Sequence, residues 1–163
     1  MERRKIPFDV ETYSRRSQQE SCFVCAIVAG SSDHVHHLVY EDDDNIAFLN
    51  RYPTLLGYCL VAPKRHVESW VLDFSEAEFV AFQRVVHRVA RAVAAVVPTE
   101  RMYSMSLGSQ QGNSHVHWHV APLPPGVRYR EQQFHALMVE NGVLEVTEEE
   151  QAALARRIRE RVG

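Results

Sequence analysis

The chain has 163 residues, 45% of them hydrophobic and 24% charged, with a formal net charge of −3. This composition excludes a disordered or fibrous protein, and the charge offers no global field for polymeric nucleic acid or an anionic membrane surface. The length suits one domain with a real core, and no apolar run approaches the ~20 residues that a membrane helix needs.

Residues 1–20 are polar, carry Arg3, Arg4, Lys5, Arg15 and Arg16, and lack a sustained apolar period, so they read as an arm outside the core. The start lacks the apolar stretch of a secretory signal, and a cytoplasmic location is expected. Residues 21–163 read as a single domain. Cys22-Phe-Val-Cys25 opens it, and in a reducing compartment such a pair suits metal or redox chemistry better than a disulfide framework. Cys59, inside an apolar run, reads as a small core residue.

Strand-like patterns follow at His37–Tyr40, Asn45–Leu49 and Gly57–Ala62, the first two flanking the acidic Glu41-Asp-Asp-Asp44, which reads as a solvated hairpin turn. The period then changes. Ser75 and Glu78 form a capping box, and Phe79, Phe82, Val86, Val89, Ala90, Val93 and Val97 recur at helical spacing until Pro98. Met102–Leu107 reads as another strand, Gly108–Ser114 as a polar loop, and His115–Ala121 as a strand that stops at Pro122. Thr147 and Glu150 cap a C-terminal helix to about Arg161. The order predicts an α+β fold with a mainly antiparallel sheet, a long central helix and a C-terminal helix.

On a strand, successive side chains alternate faces, so His115, His117 and His119 share one face and Val116, Trp118 and Val120 the other. Burial of the apolar face would fix the register. Two chemistries suit the imidazole row. It can present ligands to a catalytic zinc, or it can supply a neutral nucleophile for phosphorus with a neighbouring imidazolium as helper. His34, His36 and His37 form a second cluster beside turn-forming residues and read as solvated loop or strand edge. His87 and His135 are isolated and read as solvated too.

The run His115-Val-His-Trp-His-Val-Ala-Pro122, preceded by Leu60-Val-Ala-Pro-Lys-Arg-His66 and Tyr40-Glu-Asp-Asp-Asp-Asn-Ile-Ala-Phe-Leu-Asn50, resembles the histidine-triad family of nucleotide hydrolases and transferases. That resemblance implies an antiparallel α+β fold, a two-fold homodimer and a covalent nucleotidyl-histidine intermediate. It places His117 as the nucleophile, His119 as the phosphate-contacting helper of the leaving group, and Asn50 against the ribose. The loop before the triad departs from the family's Gly-Gln-Ser/Thr stretch, and Gln110, Gln111 and Asn113 are its candidate phosphate contacts. Where many members end the triad strand in Ile-Pro-Arg, this chain has Ala121-Pro-Leu123. The Cys-x-x-Cys branch of the family implies a structural zinc held by Cys22, Cys25, His66 and His115, with no catalytic metal required. The implied substrates are dinucleoside polyphosphates, nucleoside phosphoramidates or adenylylated compounds. Two other readings stay open: a metal-dependent hydrolase using the histidine row as catalytic ligands, and a nucleotide-binding module without turnover.

Overall fold

Asp42 organises the acidic turn in the computed structural model, which describes residues 3–163. Its Oδ1 accepts from the backbone N–H of Asp44 at 2.9 Å and of Asn45 at 2.6 Å, an Asx-type turn that joins β2 (Leu38–Glu41) to β3 (Asn45–Leu49). β3 pairs with β4 (Cys59–Pro63), whose residues are all buried because the strand is central. With β5 (Arg101–Ser106) and β6 (Trp118–Leu123) the antiparallel sheet runs β2-β3-β4-β6-β5.

Both faces of this sheet are covered. Val39, Ala47, Leu49, Cys59, Val61 and Val120 pack with α4 (Glu76–Val96) and α6 (Glu148–Val162). Ile46, Phe48, Leu60, Ala62, Ala121 and Leu123 point the other way, toward Val24 of α2 (Phe23–Val28) and Ala136 of α5 (Phe134–Leu137). The long helix is the predicted one. Its capping box is formed on both sides, with Ser75 N–H donating to Glu78 at 2.7 Å and Glu78 N–H to Ser75 Oγ at 3.2 Å. Phe82, Val85, Val86, Val89, Ala92 and Val93 are its buried stripe, each large aliphatic contributing roughly 1.5–3 kcal/mol. It stops at Val97, which Pro98 forces out of helical geometry. Thr147 and Glu150 cap α6 in the same way.

The first twenty residues contain more structure than their lack of period suggested. β1 (Lys5–Ile6) pairs with β7 (Val143–Leu144), and Val10–Gln19 form a helix, α1, capped by Asp9. No described residue of this segment is buried. Between the third strand and α4 lies a further short helix, α3 (Trp70–Asp73).

The triad strand is shorter at one end than predicted and longer at the other. It begins at Trp118, because Pro63, which would face Val116 if the register continued, has no N–H to extend the ladder past the Val61–Trp118 pair. Instead Val116 N–H donates to the Val67 carbonyl at 2.8 Å, and residues 115–117 leave the sheet. Nor does the strand stop at Pro122. Leu123 O accepts from Glu100 N–H at 2.8 Å, so the alternating pattern turns the Pro122 nitrogen toward the side where β4 has already ended.

Candidate active site

Departure from the ladder gives each imidazole of the row its own surroundings. Far from forming an open face, His115 and His117 are buried at 1% and 4% exposure, and His119 is half-buried. Each therefore needs a partner for at least one ring nitrogen. His115 Nε2 lies 2.8 Å from the Pro63 carbonyl, and His117 Nδ1 lies 2.7 Å from the His115 carbonyl. A carbonyl only accepts, so these contacts put the proton on Nε2 of His115 and on Nδ1 of His117. The lone pair is then on Nδ1 in the first ring and on Nε2 in the second.

His117 Nε2 has no hydrogen-bond partner among the described residues, and the residue lines a cleft of about 770 Å³. Burial lowers the pKa of His117 below its ordinary value and so favours the neutral, nucleophilic form. The ring is held from the side by Phe23, edge-on at 5.5 Å between centroids. Beneath it, Gly108 adopts φ +122°, and a Cβ there would stand 2.6 Å from the Asn113 carbonyl and 3.5 Å from His117 Cε1. Only glycine fits that approach.

His119 sits 4.9 Å from His117, ring to ring, and its Nδ1 lies 2.9 Å from the Tyr58 hydroxyl. When that hydroxyl donates, the proton of His119 is on Nε2, a buried atom with no partner. Burial, reinforced by His117, pushes the His119 pKa down to about 3. His119 is therefore held neutral at ordinary pH, with an N–H to donate, where the row suggested an imidazolium.

The four candidate metal ligands converge. Their ligating atoms, the sulfurs of Cys22 and Cys25 and a ring nitrogen each of His66 and His115, all lie within 4.8 Å of one another. Cys22 Sγ is 3.3 Å from His115 Nδ1, Cys25 Sγ is 3.3 Å from His66 Nδ1, and the two Nδ1 atoms are 3.1 Å apart. Tetrahedral bonds of zinc length would separate two nitrogens by about 3.3 Å and a nitrogen from a sulfur by about 3.5 Å. Glu68 Oε1 lies 3.1 Å from His66 Nε2 and accepts its N–H, so two imidazole lone pairs face each other. Burial, with Cys22 beside it, pushes the Cys25 thiol up to about 11. Facing lone pairs and reluctant thiols are both relieved by a cation at the centre, and the donor set fits a closed, four-ligand metal site. Cys22 is also the N-cap of α2, so the cluster ties that helix to the segment bearing His117.

Asn50, Gln110, Gln111 and Asn113 line the same cleft as His117 and His119. Asn50 Oδ1 accepts from Tyr52 N–H at 2.9 Å, and Asn113 holds φ +56° in the loop. His34 is exposed as expected and His37 stands at the strand edge, just before β2, with its carbonyl accepting from Leu49 N–H at 3.0 Å, but His36 does not fit the solvated reading. It stands edge-on to Phe48 at 5.7 Å, takes a contact of 2.9 Å from Ser32 Oγ, and has its pKa lowered by burial and then by Arg51. Phe23, Tyr58 and α1 also belong to the cleft or its support, and nothing in their local pattern distinguished them from core or arm.

A family model described as HIT domain matches residues 32–125. The protein named "Protein hit" of Bacillus subtilis is 31% identical over 106 residues, covering 64% of this chain and 71% of its own length. An uncharacterized HIT-like protein of Mycobacterium tuberculosis is 34% identical over 103 residues, 62% of this chain and 70% of that one. Among solved structures, a hypothetical histidine triad nucleotide-binding protein of Sulfolobus tokodaii superposes with a TM-score of 0.69 at 25% identity, covering 86% of this chain and 91% of that chain. A zinc-bound histidine triad family protein of Mycobacterium smegmatis gives 0.69 at 23% identity over 87% and 93%, a likeness of fold.

Proposed function

The chain belongs to the HIT domain family, and from that premise we propose that it is a nucleotide hydrolase or nucleotidyl transferase working through a covalent nucleotidyl-His117 intermediate. The observation that carries this reading is the tautomer of His117: its Nδ1 proton is committed to the His115 carbonyl at 2.7 Å, so Nε2 presents a lone pair to the cleft.

His117 Nε2 attacks the α-phosphorus. A P–N bond forms as the bond to the leaving oxygen or nitrogen breaks, and that atom leaves with the electron pair, a phosphate oxygen as the anion and an amine nitrogen with a proton taken from solvent. The His115 carbonyl steadies the positive charge that develops on the imidazole. His119 Nε2–H donates to a phosphate oxygen or to the leaving atom, Asn50 meets the ribose, and Gln110, Gln111 and Asn113 contact phosphate. Water or another acceptor then attacks the phosphorus, breaks the P–N bond and restores neutral His117. Dinucleoside polyphosphates, nucleoside phosphoramidates and adenylylated compounds are the substrate classes.

Cys22, Cys25, His66 and His115 would hold a structural zinc, whose contribution is to fix α2 and Phe23 behind the nucleophile. A cytoplasmic homodimer completes the reading; its two-fold axis would cover the edge strand β5, and light scattering should give twice the chain mass.

Rapid quenching with labelled substrate tests the mechanism. Wild type should yield an acid-labile nucleotidyl-protein adduct, and His117→Ala should yield none and lose turnover while keeping its fold. Near-normal turnover by His117→Ala on every substrate would overturn the covalent step. Activity that vanishes on chelation while folding persists would favour the catalytic-metal reading, and tight mononucleotide binding without turnover would favour a binding module.

A further inference from the structure

α1 precedes the region that matches the family, yet it stands on the cleft that holds His117. Asn113 Nδ2 donates to the Tyr13 hydroxyl at 3.2 Å, and a Cβ on Gly112 would come within 3.2 Å of the Ser17 carbonyl, so helix and loop meet backbone to backbone. On its other side the Tyr13 ring lies 5.9 Å from Tyr52 and 5.4 Å from Phe8. The helix thus bridges the loop after Asn50 and the loop before the triad. Arg51 lies 5.1 Å over the Tyr52 ring and makes no ion pair among the described residues, whereas Arg16 is paired with Glu20 at 3.0 Å.

We infer that Tyr13 of α1, with Tyr52 and Arg51, forms a second subsite at the mouth of the cleft that receives the leaving group, and that this leaving group is a second nucleotide. The inference rests on the nucleotidyl-transfer reading above. Attacking and leaving atoms at phosphorus lie roughly in line. His117 is 4% exposed on the cleft floor, so the leaving group departs toward the mouth, where Tyr13 is 38% exposed. There it meets a tyrosine ring still partly exposed for a base to stack on and, over Tyr52, a guanidinium without a carboxylate partner among the described residues, suited to phosphate. An amine leaving group would use neither. His36, Phe48, Tyr13 and Arg16 all line the cleft, and its volume of about 770 Å³ lies in the upper part of the range for small-ligand sites.

The test compares kcat/KM for a dinucleoside tetraphosphate and for an adenosine phosphoramidate in wild type, Tyr13→Ala, Tyr13→Phe and Arg51→Ala. Wild type should prefer the dinucleotide. Tyr13→Ala should lower that preference roughly tenfold, in the range for removing one base-stacking ring. Tyr13→Phe should retain it, and Arg51→Ala should lower it mainly through KM. An unchanged ratio in Tyr13→Ala and Arg51→Ala, or a wild-type preference for the phosphoramidate, would overturn the subsite. Should wild type turn over neither substrate, the underlying reaction is wrong, and calorimetric binding still decides the subsite. The dinucleotide must then bind wild type more tightly than AMP does, and lose that advantage in Tyr13→Ala; equal binding of the two ligands to wild type refutes it.

Discussion

Replacement of His119 by Gln should make the protein less sensitive to acid, by an amount that the burial of that ring sets. The folded-state pKa of about 3 lies below the ordinary 6.5, so between these pH values the unfolded chain binds a proton that the folded chain refuses. The contribution is complete above pH 6.5 and is lost as pH falls toward 3. Half of the unfolded chains already carry the proton at pH 6.5 and nearly all do at pH 4.5, so over this interval wild type should lose about 2.3 kcal/mol through this one group. Against a net stability of order 5–15 kcal/mol that is readily measured. Urea titrations of wild type and His119→Gln at both pH values supply a double difference. Carboxylates with depressed pKa, such as Asp42 and Glu68, contribute equally in both proteins and cancel. Parallel acid losses in the two proteins, with a double difference below about 0.5 kcal/mol, would show that His119 is not held neutral, and the assignment of an N–H donor would fail.

Cys25→Ser should release bound metal, read by elemental analysis, and lower the melting temperature. The same change should reduce turnover, because Phe23 follows the Cys22 cap and braces His117. Tyr58→Phe removes the hydroxyl 2.9 Å from His119 Nδ1 and should lower kcat more than it raises KM, with the deficit growing as the leaving group becomes more basic. A deficit independent of the leaving group would reduce Tyr58 to packing. Gly108→Ala places a methyl 2.6 Å from the Asn113 carbonyl at a φ of +122°, so it should cost several kcal/mol or displace the loop, and circular dichroism melts with nucleotide titration should show one or the other.

Elements whose pattern reports a single force were legible from residue order. β3 starts and ends where alternation and the acidic turn put it, and both capping boxes form because their four residues are self-sufficient. The triad strand was misplaced because its start depends on Pro63, some fifty residues away, which withholds one N–H from the ladder. The α1 helix was missed for a related reason. It buries no residue and so leaves no apolar period, and what holds it is Tyr13 against Tyr52 and Asn113. His36 looked like loop because its neighbours Ser32 and Asp33 favour turns, while its partner Phe48 comes from another strand. The metal quartet was drawn from resemblance, since Cys22-x-x-Cys25 by itself names no third or fourth ligand. Its convergence is a property of the fold.

The tautomers of His115 and His117 are fixed by main-chain carbonyls, those of Pro63 and of His115 itself. A substitution can delete a carboxylate or a hydroxyl, but none deletes a carbonyl. The placement of the His117 proton is thereby shielded from substitution everywhere except at His117 itself. On the proposed reaction, drift in the surrounding side chains retunes the cleft for new leaving groups while the attacking nitrogen stays the same, and Tyr58, whose hold on His119 runs through a hydroxyl, is where that freedom becomes available to selection.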